Sequence, residues 1–181
     1  MRKHWFPKPY ADLVMRLLVP SGFHHALTFA LHSYPTPASL LPGLALSLLG
    51  LFLRGWAAGH LRKNQDLIDG GPYALTRNPL YLGTLTTALG LALSARSWPV
   101  LLISLAVFFL VYLPVMEQEE QHLVKLFPAY AAYAARVPLL VPRWPSQPGH
   151  SRFSLALYWK NEEWKATLAY SLGFAYLLWK I

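Results

Sequence analysis

The side chains with the most chemical potential fall in two polar stretches, His60–Tyr81 and Glu117–Pro142. In the first, Gly70–Gly71–Pro72 reads as a turn, because glycine supplies positive φ and proline fixes its own. Asn78–Pro79 then reads as a helix start whose free amides and positive dipole end suit a carboxylate or phosphate. The same dipeptide also serves as a plain cap for a helix entering an apolar layer, and both readings stand at this level. In the second stretch Glu117, Glu119 and Glu120 crowd together where an apolar run ends. A lipid-facing carboxylate there is costly, so at least one of Glu119 and Glu120 is expected to face a polar pocket or a cation. A solvated helix start is the alternative. Leu123, Phe127, Tyr130 and Tyr133 continue the helical spacing, and Pro128 is expected to split it into two short helices. The chain has no cysteine, which excludes disulfides, thiolate zinc sites, iron–sulfur clusters and a cysteine nucleophile. His24, His25, His32, His122 and His150 show no metal-ligand spacing, and no metal site is assigned.

The elements that position these stretches are apolar. Of 181 residues, 55% are hydrophobic and 13% charged, about half the charge of a typical soluble domain. The net charge of +8 is spread between apolar runs, which suits an anionic membrane surface better than nucleic acid. A bilayer core needs about 20 apolar residues per helix. The expected spans are Leu13–Leu31, Leu40–Ala58, Pro79–Ala95 and Trp98–Met116, with Arg16 and Arg54 snorkelling and Pro20 kinking the first. Ala166–Leu178 fits a fifth, tilted span or an interfacial helix, and a span is preferred. HSYPTPAS and SARSWP read as hairpins between spans. Lys and Arg gather at Arg2, Lys3 and Lys8, at Arg62, Lys63 and Arg77, and after the fourth span, so the positive-inside rule places both polar stretches in the cytoplasm. Most tryptophans fall near span ends, as interfacial belts do. The tail from Arg152 is read as a lid over the pocket, or its Glu162–Glu163 pair as a solvated turn. The expected architecture is an all-α polytopic membrane bundle, one domain over residues 1–181, with about five spans and a cytoplasmic-side pocket.

GGPYALTRNPLYLG followed by EEQHLVKLFPAYAAYAARVP resembles the isoprenylcysteine carboxyl methyltransferase family, with phosphatidylethanolamine methyltransferases as more distant relatives. The resemblance covers residues 60–142. It rests on Gly71, Tyr73, Arg77, Asn78, Pro79, Tyr81 and Gly83, then on Glu119, Glu120, Phe127, Tyr130 and Tyr133. It implies an integral-membrane enzyme that binds S-adenosylmethionine without a Rossmann sheet, against Gln65, Asp66, Leu67, Ile68, Tyr73, Asn78, Pro79, Leu80, Tyr81 and Glu119, with His60 and Lys63 nearby. Val115 stands where isoprenylcysteine enzymes carry an arginine, and Asn78 where they carry histidine, which argues against a prenylcysteine carboxylate as acceptor.

The chemistry of a methyl donor matches these residues. Its sulfonium suits tyrosine faces, its ammonium a carboxylate, its carboxylate amides or a basic group, and its adenine an apolar slot. Arg77 is assigned to an anionic acceptor or the donor carboxylate, and Glu120 to accepting a proton or positioning the acceptor. Contact of Arg77 with lipid phosphate is the alternative. The expected activity is methyl transfer to a lipophilic carboxylate, thiol, amine or lipid head group reached from the bilayer. A nicotinamide-dependent reductase, similar to sterol reductases, and a non-catalytic membrane scaffold are the competing readings. The acceptor and the oligomeric state are not legible in the sequence.

Overall fold

The computed structural model describes Tyr10, Leu13, residues 24–145, Gly149 and residues 151–181. Most of the first expected span, including Arg16 and Pro20, lies outside the described residues, as do Arg2, Lys3, Lys8 and His150; residues 24–32 are helical. Among the described residues the structure is all-helical, with no strand.

Helix α1 is Pro37–Ala58, started by a capping box in which Thr36 and Ser39 exchange hydrogen bonds. A short turn, α2 (Pro72–Leu75), precedes α3 (Pro79–Ala95), which ends on Arg96 in the left-handed region, φ 48°. Next, α4 (Trp98–Val107) is opened by Ser97, whose hydroxyl accepts from the Val100 amide. It runs through a π turn at Phe108–Tyr112 into α5 (Leu113–Leu126). Pro114 explains the turn. It has no N–H to offer the Leu110 carbonyl, which instead accepts from the Tyr10 hydroxyl at 2.9 Å. Pro128 separates α5 from α6 (Tyr130–Arg136), and α7 (Leu155–Lys160) and α8 (Trp164–Trp179) follow.

The α1–α3 pair is the frame of the molecule. Gly43, Ser47, Gly50 and Arg54 on α1 and Gly83, Thr87, Gly90 and Ser94 on α3 recur at steps of four, three and four. The two rows face each other in opposite directions along the helices. A Cβ on Gly50 would stand 2.6 Å from the Gly83 carbonyl oxygen, and one on Gly90 2.6 Å from that of Gly43. Backbones this close are held by dispersion and by hydroxyl bonds such as Ser39 Oγ to the Ser94 carbonyl, 2.9 Å, and Ser47 Oγ to that of Thr87, 3.2 Å. Gly50→Leu is therefore expected to destabilise the protein by about 1–3 kcal/mol or more through overpacking. Leu49→Ala, on an exposed position of the same helix, should leave the melting temperature in detergent nearly unchanged.

Burial departs from that of a soluble domain, because small polar residues share the interior with Phe108, Met116 and Leu177 while large apolar ones face outward. Ser33, Ser39, Ser47, Ser94, Ser97 and Ser104 are buried, while Leu41, Leu48, Phe52, Leu102, Phe109 and Leu172 are exposed. Among the described residues, two helices, Pro37–Ala58 and Trp98–Leu126, are long and apolar enough to cross a membrane. Apolar exteriors over small polar interiors are what a lipid solvent favours. Trp98, Trp144, Trp159 and Trp179 are all exposed.

The tail straps the outside of the bundle. Tyr176 Oη donates to the Ala30 carbonyl (2.7 Å) and Lys180 Nζ to that of Ser33 (2.7 Å). Arg54 does not snorkel: its Nε and Nη2 donate to the two carboxylate oxygens of Glu163, at 2.6 and 2.9 Å, and Nη1 meets Thr84 Oγ1. Glu163 is buried in that pair, whereas Glu162 is exposed and meets Lys165. The reading of Glu162–Glu163 as one solvated turn holds for Glu162 alone, because a carboxylate beside a helix guanidinium gains more from a bidentate bond than from water.

Candidate functional site

Loop 61–68, the α2 turn, the start of α3, the end of the π turn and the polar half of α5 with α6 enclose a cavity of about 680 Å³. Its construction starts at Gly71. With φ 58° and a virtual Cβ only 2.7 Å from His60 Nε2, this position admits glycine alone. The turn it makes sends Tyr73 inward and delivers Thr76–Asn78 to the extended segment after α6. There the Arg77 amide donates to the Pro138 carbonyl at 2.9 Å, and Thr76 Oγ1 and Asn78 Nδ2 both donate to that of Leu139, at 3.1 and 3.0 Å. Tyr133 Oη closes the clamp on the Tyr73 carbonyl, 2.8 Å. The two polar stretches thus meet, although they are far apart in sequence.

Lys63, Asp66, Leu67, Ile68, Tyr73, Arg77, Asn78, Pro79, Leu80, Tyr81, Glu119 and Glu120 all line the cavity. Two expected residues do not. His60 sits behind Gly71, its Nδ1 2.8 Å from the Trp56 carbonyl and its ring edge-on to Phe153, so it supports the turn from outside. Gln65 points into a separate, smaller concavity. Asn78 does begin the Pro79 helix, but its side chain is spent on Leu139 and makes no cap bond, which leaves the first-turn amides without a side-chain acceptor. None of the tail residues lines the cavity, so the lid reading does not hold; the tail braces the site from outside, through Glu163 on Arg54 and Asn161 on the Leu61 carbonyl.

Within the cavity, the Tyr81 hydroxyl faces Glu119, which also lies near Lys63. The apolar run ends at Met116, one turn earlier, so both acids stand beyond it. Burial pushes the Glu119 carboxyl above its ordinary range, and the Tyr81 hydroxyl and Lys63 pull it part of the way back. Arg77 Nη1 pairs with Glu120 Oε1, which also accepts from Tyr130 Oη at 3.0 Å. Burial, reinforced by Glu119 and Glu120 respectively, holds the Tyr73 and Tyr130 hydroxyls well above an ordinary phenol, so both remain donors at neutral pH. Two buried polar atoms on this wall have no partner, Tyr73 Oη and Arg77 Nε. Orphans of this kind are costly unless a ligand satisfies them.

Arg54, Thr84, Tyr112, Asn64, Gln118 and His122 also line the cavity and were missed in the sequence. His122 Nε2 lies 3.2 Å from Asn64 Oδ1 across its rim. Tyr112 packs on Tyr81, ring centroids 5.6 Å apart, because the π turn rotates it there. An arginine near the end of an apolar helix was the one legible signal among these. Among the described residues no three His, Cys, Asp or Glu side chains gather as a metal site would require.

Among the described residues, an all-helical bundle with apolar outer faces carries a tyrosine- and carboxylate-lined cavity at one end, an architecture of membrane type. Residues 42–130 match the phospholipid methyltransferase family. It is 36% identical over 118 residues to the cobalt-zinc-cadmium resistance protein CzcN of Cupriavidus metallidurans, covering 62% of this chain and 55% of that protein. To the nickel-cobalt-cadmium resistance protein NccN of Alcaligenes xylosoxydans xylosoxydans it is 32% identical over 106 residues, 55% of this chain and 50% of that one. The chain thus spans about half the length of the curated relatives it matches. No solved structure matches it significantly.

Proposed function

We propose that the chain binds S-adenosylmethionine in this cavity and directs its methyl group to a lipophilic acceptor at the cytoplasmic face of the membrane. The observation that carries the reading is the convergence of Tyr81, Glu119 and the unpartnered Tyr73 hydroxyl on one wall, below a helix start free of any side-chain cap. Residues of the right chemistry for each part of the donor are present. Glu119 suits its ammonium, the α3 amides its carboxylate, Leu67 and Ile68 its adenine, and the faces of Tyr73 and Tyr81 its cation. When bound, the donor supplies an electrophilic methyl on sulfur.

The chain's own part is alignment, water exclusion and charge. Methyl transfer is an in-line displacement and needs no protein nucleophile, so the lack of cysteine is no obstacle. Arg77 is placed to hold an anionic acceptor. Glu120, joined to Arg77 and Tyr130, is placed to accept a proton or orient the acceptor. The site lies at the end of α1 and the start of α3, beside Arg62 and Lys63, which with the positive-inside rule supports a cytoplasmic orientation.

Thermal shift or calorimetry in detergent, with S-adenosylhomocysteine and separately with NADPH, tests this. Stabilisation by the homocysteine compound alone is expected, and at a hundredfold excess over its dissociation constant should amount to about 2.7 kcal/mol. Stabilisation by NADPH alone would assign a reductase, and by neither a scaffold. Transfer of label from a methyl-labelled donor into a total lipid extract then finds the acceptor.

A further inference from the structure

Beside the cavity, and outside the reading just given, lies a second concavity of about 250 Å³ lined by Leu61, Arg62, Lys63, Gln65, Leu157, Lys160, Asn161 and Glu162. Three cations and a single acid face it. The acid is already engaged, since Glu162 Oε2 lies 2.7 Å from Lys165 Nζ. Arg62 makes only an exposed 3.3 Å contact with Asp66, the kind of pair that contributes little. The walls are fixed by hydrogen bonds and not by the charges. Asn161 Nδ2 donates to the carbonyls of Ala58 and Leu61, both at 2.9 Å, and the Ser154 amide donates to that of Gly59 at 2.8 Å, so α7 is pinned across the end of α1. Lys63 also lies near Glu119 on the side of the larger cavity, and the lining of this concavity keeps a net positive charge that an anion would complement.

We propose that this concavity is an anion site for a phosphate group carried by a lipid head group or free in solution, separate from the methyl-donor cavity. Its position favours the lipid source. The site opens where α1 ends, and exposed Leu155, Trp159 and Trp164 stand on α7 and at the start of α8, as interfacial anchors do. Basic pockets at the cytoplasmic edge of membrane helices bind anionic head groups by the same chemistry. Arg62 and Lys63 are shared with the larger cavity, whereas Lys160 faces only this one. Lys160 is therefore the residue whose change isolates the site.

The test uses purified full-length protein in detergent, titrated with short-chain phosphatidylglycerol, short-chain phosphatidylcholine and inorganic phosphate and read by native mass spectrometry and thermal shift. The parent is expected to bind phosphatidylglycerol in preference to phosphatidylcholine. Lys160→Glu is expected to weaken that binding about tenfold or more, since it removes one cation and adds an anion. Lys160→Gln should weaken it less, and both variants should bind S-adenosylhomocysteine as the parent does. Protection by millimolar inorganic phosphate that Lys160→Glu abolishes would support the free-phosphate source. Equal binding of the two lipids with no effect of phosphate, or anion binding unchanged in Lys160→Glu, overturns the site whatever the outcome for the methyl donor.

Discussion

Replacing Glu119 with alanine is expected to weaken binding of S-adenosylhomocysteine about thirtyfold or more, the equivalent of about 2 kcal/mol for a lost charge-assisted hydrogen bond in a sheltered site. Tyr81→Ala should follow closely, since the Tyr81 hydroxyl faces Glu119 and its ring forms the wall toward Tyr112. Arg77→Ala should bind the compound more nearly as the parent does, because Arg77 is committed to Glu120. The same carboxylate predicts a pH dependence. In the free protein burial holds the Glu119 carboxyl above its ordinary range, and an ammonium bound beside it would lower that value. Protons therefore compete with the ligand: affinity is full above the free-state pKa and falls as pH drops through it. Calorimetry from pH 8 towards pH 5 should show weakening in the parent and a flat profile in Glu119→Gln. If Glu119→Ala, Tyr81→Ala and Arg77→Ala all bind as the parent does, the donor sits elsewhere.

What the sequence revealed of this molecule was what local physics decides. Helix α3 starts and stops where Asn78–Pro79 and the turn SARSWP put it, because a proline without an N–H and a left-handed Arg96 act on their own neighbours. Pro128 broke the second polar stretch for the same reason. Twelve expected site residues reach one cavity because each stretch leaves an apolar helix at the same end of the bundle. Long-range pairing was not legible. Nothing beside Arg54 in the chain points to Glu163, 109 residues on, and the bond they share fixes a tail that looked free. Asn78 has the residue type of a cap, yet its Nδ2 donates to the Leu139 carbonyl, 61 residues away, and its side chain makes no cap bond. His60 has the polarity of a ligand residue, but the positive-φ turn at Gly71 puts the chain between it and the cavity wall.

The Arg77–Glu120 pair allows structure and catalysis to be separated. The Arg77 side chain is 4% exposed and that of Glu120 18%. Removing one member of a buried pair strands the other, at a cost of about 3–5 kcal/mol. Glu120 retains the Tyr130 hydroxyl and some contact with water, so Arg77→Met should fall near the lower figure. Glu120→Leu leaves the guanidinium uncompensated beside an already unpartnered Nε and deprives the Tyr130 hydroxyl of its acceptor, and should lower the melting temperature too. The double variant Arg77→Met/Glu120→Leu removes both charges and should recover most of the lost stability, because apolar groups of similar volume often replace a buried ion pair without net cost. Its methyl transfer should not recover. A pair that merely braced the α2 turn against α5 would return activity together with stability, whereas one that holds the acceptor leaves a well-folded, donor-binding and inactive protein. Melting curves in detergent, S-adenosylhomocysteine affinity and label transfer into lipid, measured on the four proteins of this cycle, decide between those outcomes.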